Sequence, residues 1–147
     1  MTSTGKASYG HKAAEPDMAL WNALLAILPK QRPAKLPFHC GEAGGFHVIL
    51  VDGGRVMLRE RKTKETSHIG EPDFMDFCIG GNGHEDEELC GKDEVYIDGL
   101  MDASTWPFTG MHEIVEAKAM ARGATYDAAH KQANIQEKAL RRRFSLP

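Results

Sequence analysis

Apolar residues recur at three- and four-residue spacing in three stretches of the chain, and that spacing predicts three helices. The first runs from about Met18 to Leu28. Leu20, Trp21, Leu24, Leu25 and Leu28 share one face, Asp17 stands at the capping position and Pro29 follows the end. The second opens at Pro107, which suits a first helical position, behind Ser104 or Thr105 as cap. Its apolar face is Phe108, Met111, Ile114 and Val115, and Arg122 and Gly123 mark its end. The third follows Thr125 as cap, carries Asp127 in its first turn and continues to about Arg142.

Strand-like runs lie between the first helix and the second. Phe46 to Val51 and Arg55 to Glu60 flank Asp52-Gly53-Gly54, which predicts a hairpin turning at those glycines. The alternating basic residues of the second run predict a solvated face, and Arg59 to Lys64 reads as a soluble edge and loop. Glu94 to Asp98 is a short strand ended by Gly99. Thr63 to Lys92 has weak periodicity and reads as a long loop, a lid or a substrate loop. Residues 1–15 are small, polar and aperiodic, a disordered tail that leaves 16–147 as a single domain. Helix, hairpin, long loop, strand and two helices make an α+β class, a small mainly antiparallel sheet packed against about three helices.

Composition narrows the function. With 147 residues, 41% hydrophobic and 27% charged, the chain has the balance of an ordinary globular domain. A net charge of −3 gives no support for nucleic-acid binding. No signal-peptide pattern stands at the start, and the apolar run near Met18 is too short to span a bilayer. Three cysteines do not build a disulfide framework, so a reducing, cytoplasmic setting is expected. Cys78, His84 and Cys90, with or without Cys40, match no zinc-knuckle spacing and read as idle thiols. Gly80-Gly81-Asn82-Gly83 lacks the Gly-Lys-Ser/Thr ending of a phosphate loop. Seven histidines favour metal chemistry.

The second helix carries that chemistry. His112 and Glu116 are four residues apart, so their side chains stack on one helix face about 6 Å apart along the axis and can converge on one ion. Glu113 points about 100° away, an awkward ligand but a good base for water held on the ion. Tyr126, His130, Ala133, Asn134, Glu137 and Arg141 form one stripe of the third helix. If the two helices fold back at Gly123, His130 faces His112 and Glu116 as a third ligand. Glu137 is an alternative ligand, or a partner holding a ligand histidine. The bland reading is a hydrogen-bonded helix pair.

A strand Val95-Tyr96-Ile97-Asp98, a short linker and then Phe108-Thr109-x-x-His112-Glu113 resembles the core of zincin-like metallopeptidases. It is closest to the small intracellular ImmA/IrrE type that act on repressors in phages and mobile elements. Tyr126 to His130, with Glu137, also resembles small phage or prophage proteins with a His-Glu-x-x-Glu motif. The resemblance covers about Glu94 to Arg142. It departs at Glu116, where the family carries His, so manganese or iron stands as a candidate beside zinc.

The expectation is a metal-dependent hydrolase, a small intracellular or phage-encoded metallopeptidase acting on a peptide or protein. His112, Glu116 and His130 hold one divalent metal, most readily Zn2+ with Mn2+ or Fe2+ as alternatives. Glu113 is the base and Tyr126 steadies the oxyanion. Asp98 and Asp76 are expected to support the ligands, and the substrate to add as a strand along a sheet edge. The rival expectation is an inactive zincin-like binding or regulatory protein of phage or mobile-element origin, with a structural metal or none. A dinuclear site on the same stripe ranks last, because a carboxylate bundle needs four long helices. Neither a nucleic acid nor a membrane is an expected partner.

Overall fold

Phe46 to Val51 is apolar at five of its six positions, too continuous for a strand with one wet face. In the computed structural model, which describes residues 15–55, 80–83 and 91–144, this segment is an interior strand. The strands are β1 (Phe38–Ala43), β2 (Phe46–Val51), β3 (Gly80–Asn82) and β4 (Glu94–Asp98), in spatial order β1-β2-β4-β3. β1 pairs antiparallel with β2 and β3 antiparallel with β4, while β2 and β4 run parallel, with Val48 opposite Val95 and Leu50 opposite Ile97. The sheet is therefore mixed, with two antiparallel pairs and one parallel pair.

The hairpin is not the predicted one. β2 folds back on β1 through Gly44-Gly45, whose φ values of 61° and 89° suit a two-residue turn with both positions left-handed. β1 escaped the sequence reading because its residues are almost all at least partly exposed, so no apolar alternation marks it. Asp52-Gly53-Gly54 instead leads into helical backbone at residues 53–55, where the buried Asp98 carboxylate accepts the Gly53 N–H at 3.1 Å. The rest of the predicted second strand, the Arg59 to Lys64 patch, the tail to residue 14 and most of Thr63 to Lys92 lie outside the described residues. Within that predicted loop, however, Gly80–Asn82 is an edge strand, not irregular chain.

The helices follow the pattern closely. α1 (Met18–Ile27) is capped by the Asp17 side chain on Leu20 N–H. A 3-10 turn, Ala103–Thr105, precedes α2 (Trp106–Ala121), and its cap is Asp102, which takes both the Ser104 N–H and hydroxyl. Of the two predicted caps, Thr105 does stand at the N-cap of α2 but makes no side-chain cap bond; the side-chain capping is that of Asp102 on the 3-10 turn before it. α2 ends in a Schellman motif, with Ala124 N–H on Ala119 O and Gly123 N–H on Met120 O, at a Gly123 φ of 101°. That reversal brings α3 (Tyr126–Phe144) back along α2.

α2 is the central element. It buries eleven of its 16 residues, between the sheet, α1 and α3. Leu20, Trp21 and Leu24 of α1, Val48, Leu50, Val95 and Ile97 of the sheet, Met111 and Ile114 of α2, and Ala133 and Leu140 of α3 form one core cluster. Each large side chain there contributes about 1.5–3 kcal/mol of burial. Among the described residues no helix is long and apolar enough to cross a membrane.

Candidate metal centre

A helix covered on all sides should turn apolar residues inward, yet α2 buries Glu113 and Glu116, the latter 1% exposed. Burying a carboxylate costs several kcal/mol unless it is paired, and a paired one seldom stabilises a fold more than a hydrophobe would. Thr109 of α2 and Asn82 of β3 are buried as well. Among the described residues, four of the five buried polar ones thus belong to α2 and the strand tip beside it.

Three donor atoms converge there. His130 Nδ1 lies 2.8 Å from Glu116 Oε2, His112 Nε2 lies 3.3 Å from His130 Nδ1, and His112 Nε2 lies 3.5 Å from Glu116 Oε2. A triangle with these sides has a circumradius of about 1.9 Å, small enough that one ion could reach all three atoms at about 2.0–2.1 Å. In a tetrahedral zinc site the donors stand roughly 3.3 Å apart, which the three sides bracket. Among the described residues this is the one group of three or more His, Cys, Asp or Glu able to hold a metal. The residues present therefore fit a divalent cation.

The surroundings fix each donor. His112 uses its other nitrogen, Nδ1, to meet Glu137 Oε1 at 2.9 Å, and Arg141 Nε donates to Glu137 Oε2 at 2.9 Å. A carboxylate behind a ligand histidine sets its tautomer and raises its basicity. Asn82 Nδ2 donates to Glu116 Oε1 at 3.1 Å and to Glu113 Oε1 at 2.9 Å. Those two carboxylate oxygens are thus no more than 6.0 Å apart, the sum of 3.1 and 2.9. Tyr126 stacks on the His130 ring and its hydroxyl lies 3.4 Å from His130 Nδ1. The outer side of the triad reaches solvent, His130 being 40% exposed against 12% for His112.

Carboxylates on both sides of the ring set the charge of His112. Burial favours a neutral His112, but the Glu116 and Glu137 hydrogen bonds and the charges of Glu113 and Glu116 outweigh it and push the imidazolium up to about 10. Burial would raise Glu116, yet its bonds to His112 and His130 hold it below the usual carboxylate range. The His112 bond, aided by Arg141 against burial, does the same for Glu137.

The structure thus brings His112, Glu116 and His130 together, with Glu113 and Tyr126 beside them and Glu137 behind His112 rather than among the converging atoms. Asp98 does not support the ligands. Its Oδ1 accepts the N–H groups of Gly53 and Leu100 at the far end of β4. Asp76, Cys78, His84 and Cys90 lie outside the described residues. Cys40 is a free thiol in β1, pushed up to about 11 by burial, which leaves it protonated and inert. Sequence reasoning missed Asn82. Its signal was a lone amide among glycines, a pattern that marks close backbone approach.

No family model matches the chain, and neither a curated protein nor a solved structure matches it.

Proposed function

We propose that the chain is a metal-dependent hydrolase acting on a peptide or protein, with one divalent ion, most readily zinc, held by His112 Nε2, Glu116 Oε2 and His130 Nδ1. The observation that carries this reading is the triangle of donors, with sides of 2.8, 3.3 and 3.5 Å and a solvent-reached flank. Two His and one Glu form a donor set used by catalytic zinc, which keeps a fourth position for water or substrate. When bound, such an ion would acidify a water molecule and polarise a carbonyl.

The chain supplies the rest. Glu113 takes the proton from the attacking water and passes it to the leaving amine, its Oε1 held by Asn82. Tyr126, at the exposed side of His130, donates its hydroxyl to the developing oxyanion. Glu137 keeps His112 in the tautomer that turns a lone pair toward the ion. With Glu137 engaged at Nδ1, it does not close the fourth position, which favours a catalytic over a purely structural metal.

A second reading has one observation in its favour. The chain Arg141–Glu137–His112 and the 2.8 Å Glu116–His130 contact make a complete ion-pair network on their own. On that reading the protein is a binding or regulatory module without a metal.

Metal content by plasma mass spectrometry separates the two. About one zinc, manganese or iron per wild-type chain, absent from His112→Ala, is expected. Glu113→Gln should keep the metal and lose cleavage of a peptide library. A wild type that takes up no metal even from excess zinc would leave the ion-pair network as the answer.

A further inference from the structure

Gly80-Gly81-Asn82-Gly83 has no part in the metal triad itself, yet its geometry is unusually confined. A side chain at position 80 would place its Cβ 2.7 Å from Thr109 Cγ2 and 3.0 Å from Glu113 Cγ. One at position 83 would overlap the Gly91 carbonyl oxygen. Glycine at these two places lets the β3 backbone lie directly on α2 and on the loop before β4. The product of that approach is the placement of one side chain. Asn82, opposite Val95 in the β3–β4 pair and 0% exposed, points its amide between two carboxylates of α2.

Two carboxylates on adjoining turns of a buried helix repel one another, and each seeks donors. One Asn82 NH2 group offers a hydrogen to each. The consequence differs for the two acids. At Glu116 the amide occupies Oε1, so Oε2 alone remains among the converging donors. At Glu113 the amide occupies one oxygen and fixes the rotation of the carboxylate beside the triad.

We infer that Asn82 is a positioning residue that holds Glu116 to single-oxygen coordination of the metal. This rests on the metal-dependent reading above. It gives the glycine cluster a purpose: the glycines bring the edge strand close enough for one amide to reach both acids. An apolar residue at 82 would fill the same space and take one donor away from each of two buried carboxylates.

The test is the visible spectrum of the Co2+-loaded protein, whose band intensity reports coordination number. Wild type should show the intense bands of four-coordinate cobalt. Asn82→Ala frees Glu116 Oε1 to swing onto the ion, so its bands should fall about twofold or more as coordination number rises. Its Co2+ affinity should drop roughly 10- to 100-fold. An unchanged Asn82→Ala spectrum overturns the inference while leaving the metal reading intact. A wild type that binds no Co2+ overturns the metal reading itself, and the inference with it. If Asn82→Ala does not fold, zinc X-ray absorption on the wild type decides. Four N/O donors near 2.0 Å support the inference, and a fifth, longer carboxylate oxygen overturns it.

Discussion

His112 Nδ1 lies 2.9 Å from Glu137 Oε1, on the opposite side of the ring from the nitrogen that faces Glu116 and His130. On the metal-dependent reading, Glu137 would therefore act through the histidine and not on the ion. Glu137→Gln can still accept the Nδ1 hydrogen but brings no charge, so zinc affinity should fall roughly 10- to 100-fold. Arg141→Ala, which removes only the clamp on Glu137, should cost less. Competition against a chelating dye measures both. Equal affinity in Glu137→Gln and wild type would show that the contact is incidental.

Zinc uptake should release a proton. In the metal-free protein His112 stays protonated to about 10, since its carboxylate partners outweigh the effect of burial. A cation must displace that proton from Nε2. Between pH 7 and 8 the apparent affinity should rise about tenfold per pH unit, with about one proton released per ion bound. Calorimetry in two buffers of different ionisation heat reads the proton count directly. A count of zero would mean that His112 is neutral in the free protein or that it does not bind the ion.

The same groups shape the stability of the metal-free protein. His112 is raised above 6.5, so its contribution is complete below about 6.5 and is lost as pH climbs through about 10. Glu116 and Glu137 are held below 4.5, so theirs is present above about 4.5 and is lost on acidification through their folded pKa. Thermal melts with a chelator present should give a maximum Tm between about pH 4.5 and 6.5, falling on both sides. In Glu137→Gln the alkaline fall should flatten. A wild-type Tm that keeps rising from pH 6.5 to 9 would contradict the paired His112.

Much of this was legible in the residues themselves. The helices were, because capping residues and a 3.6-residue period are local signals: Asp17, Thr125 and Gly123 all stand at the ends they announced. The i, i+4 pair His112 and Glu116, and the antiparallel helix that brings His130 to them, followed from the same period. The sheet was harder. Gly44-Gly45 and Asp52-Gly53-Gly54 are equally good turns in sequence, and the choice is made by pairing between distant segments: β2 with β4, and Asp98 with Gly53. Asn82 was hidden for the same reason. It meets Glu113 and Glu116 from 31 and 34 residues away, and no periodic pattern of its own segment points to α2.

Because the donors come from two helices, the site and the fold should be thermodynamically linked. Leu140 is fully buried where α3 packs on α2, one turn beyond Glu137. Leu140→Ala should destabilise the metal-free protein by about 2–5 kcal/mol, from lost burial and the cavity left behind. Zinc at about 100 times its Kd should return about 2.7 kcal/mol, since the unfolded chain does not hold the three donors together. Adding His112→Ala to Leu140→Ala should remove that rescue and leave the melt insensitive to zinc. Denaturant unfolding of the single and double variants, with zinc and with chelator, measures each quantity. If zinc stabilised the double variant as much as the single one, the ion would be binding elsewhere, and His112 would have no place among its ligands.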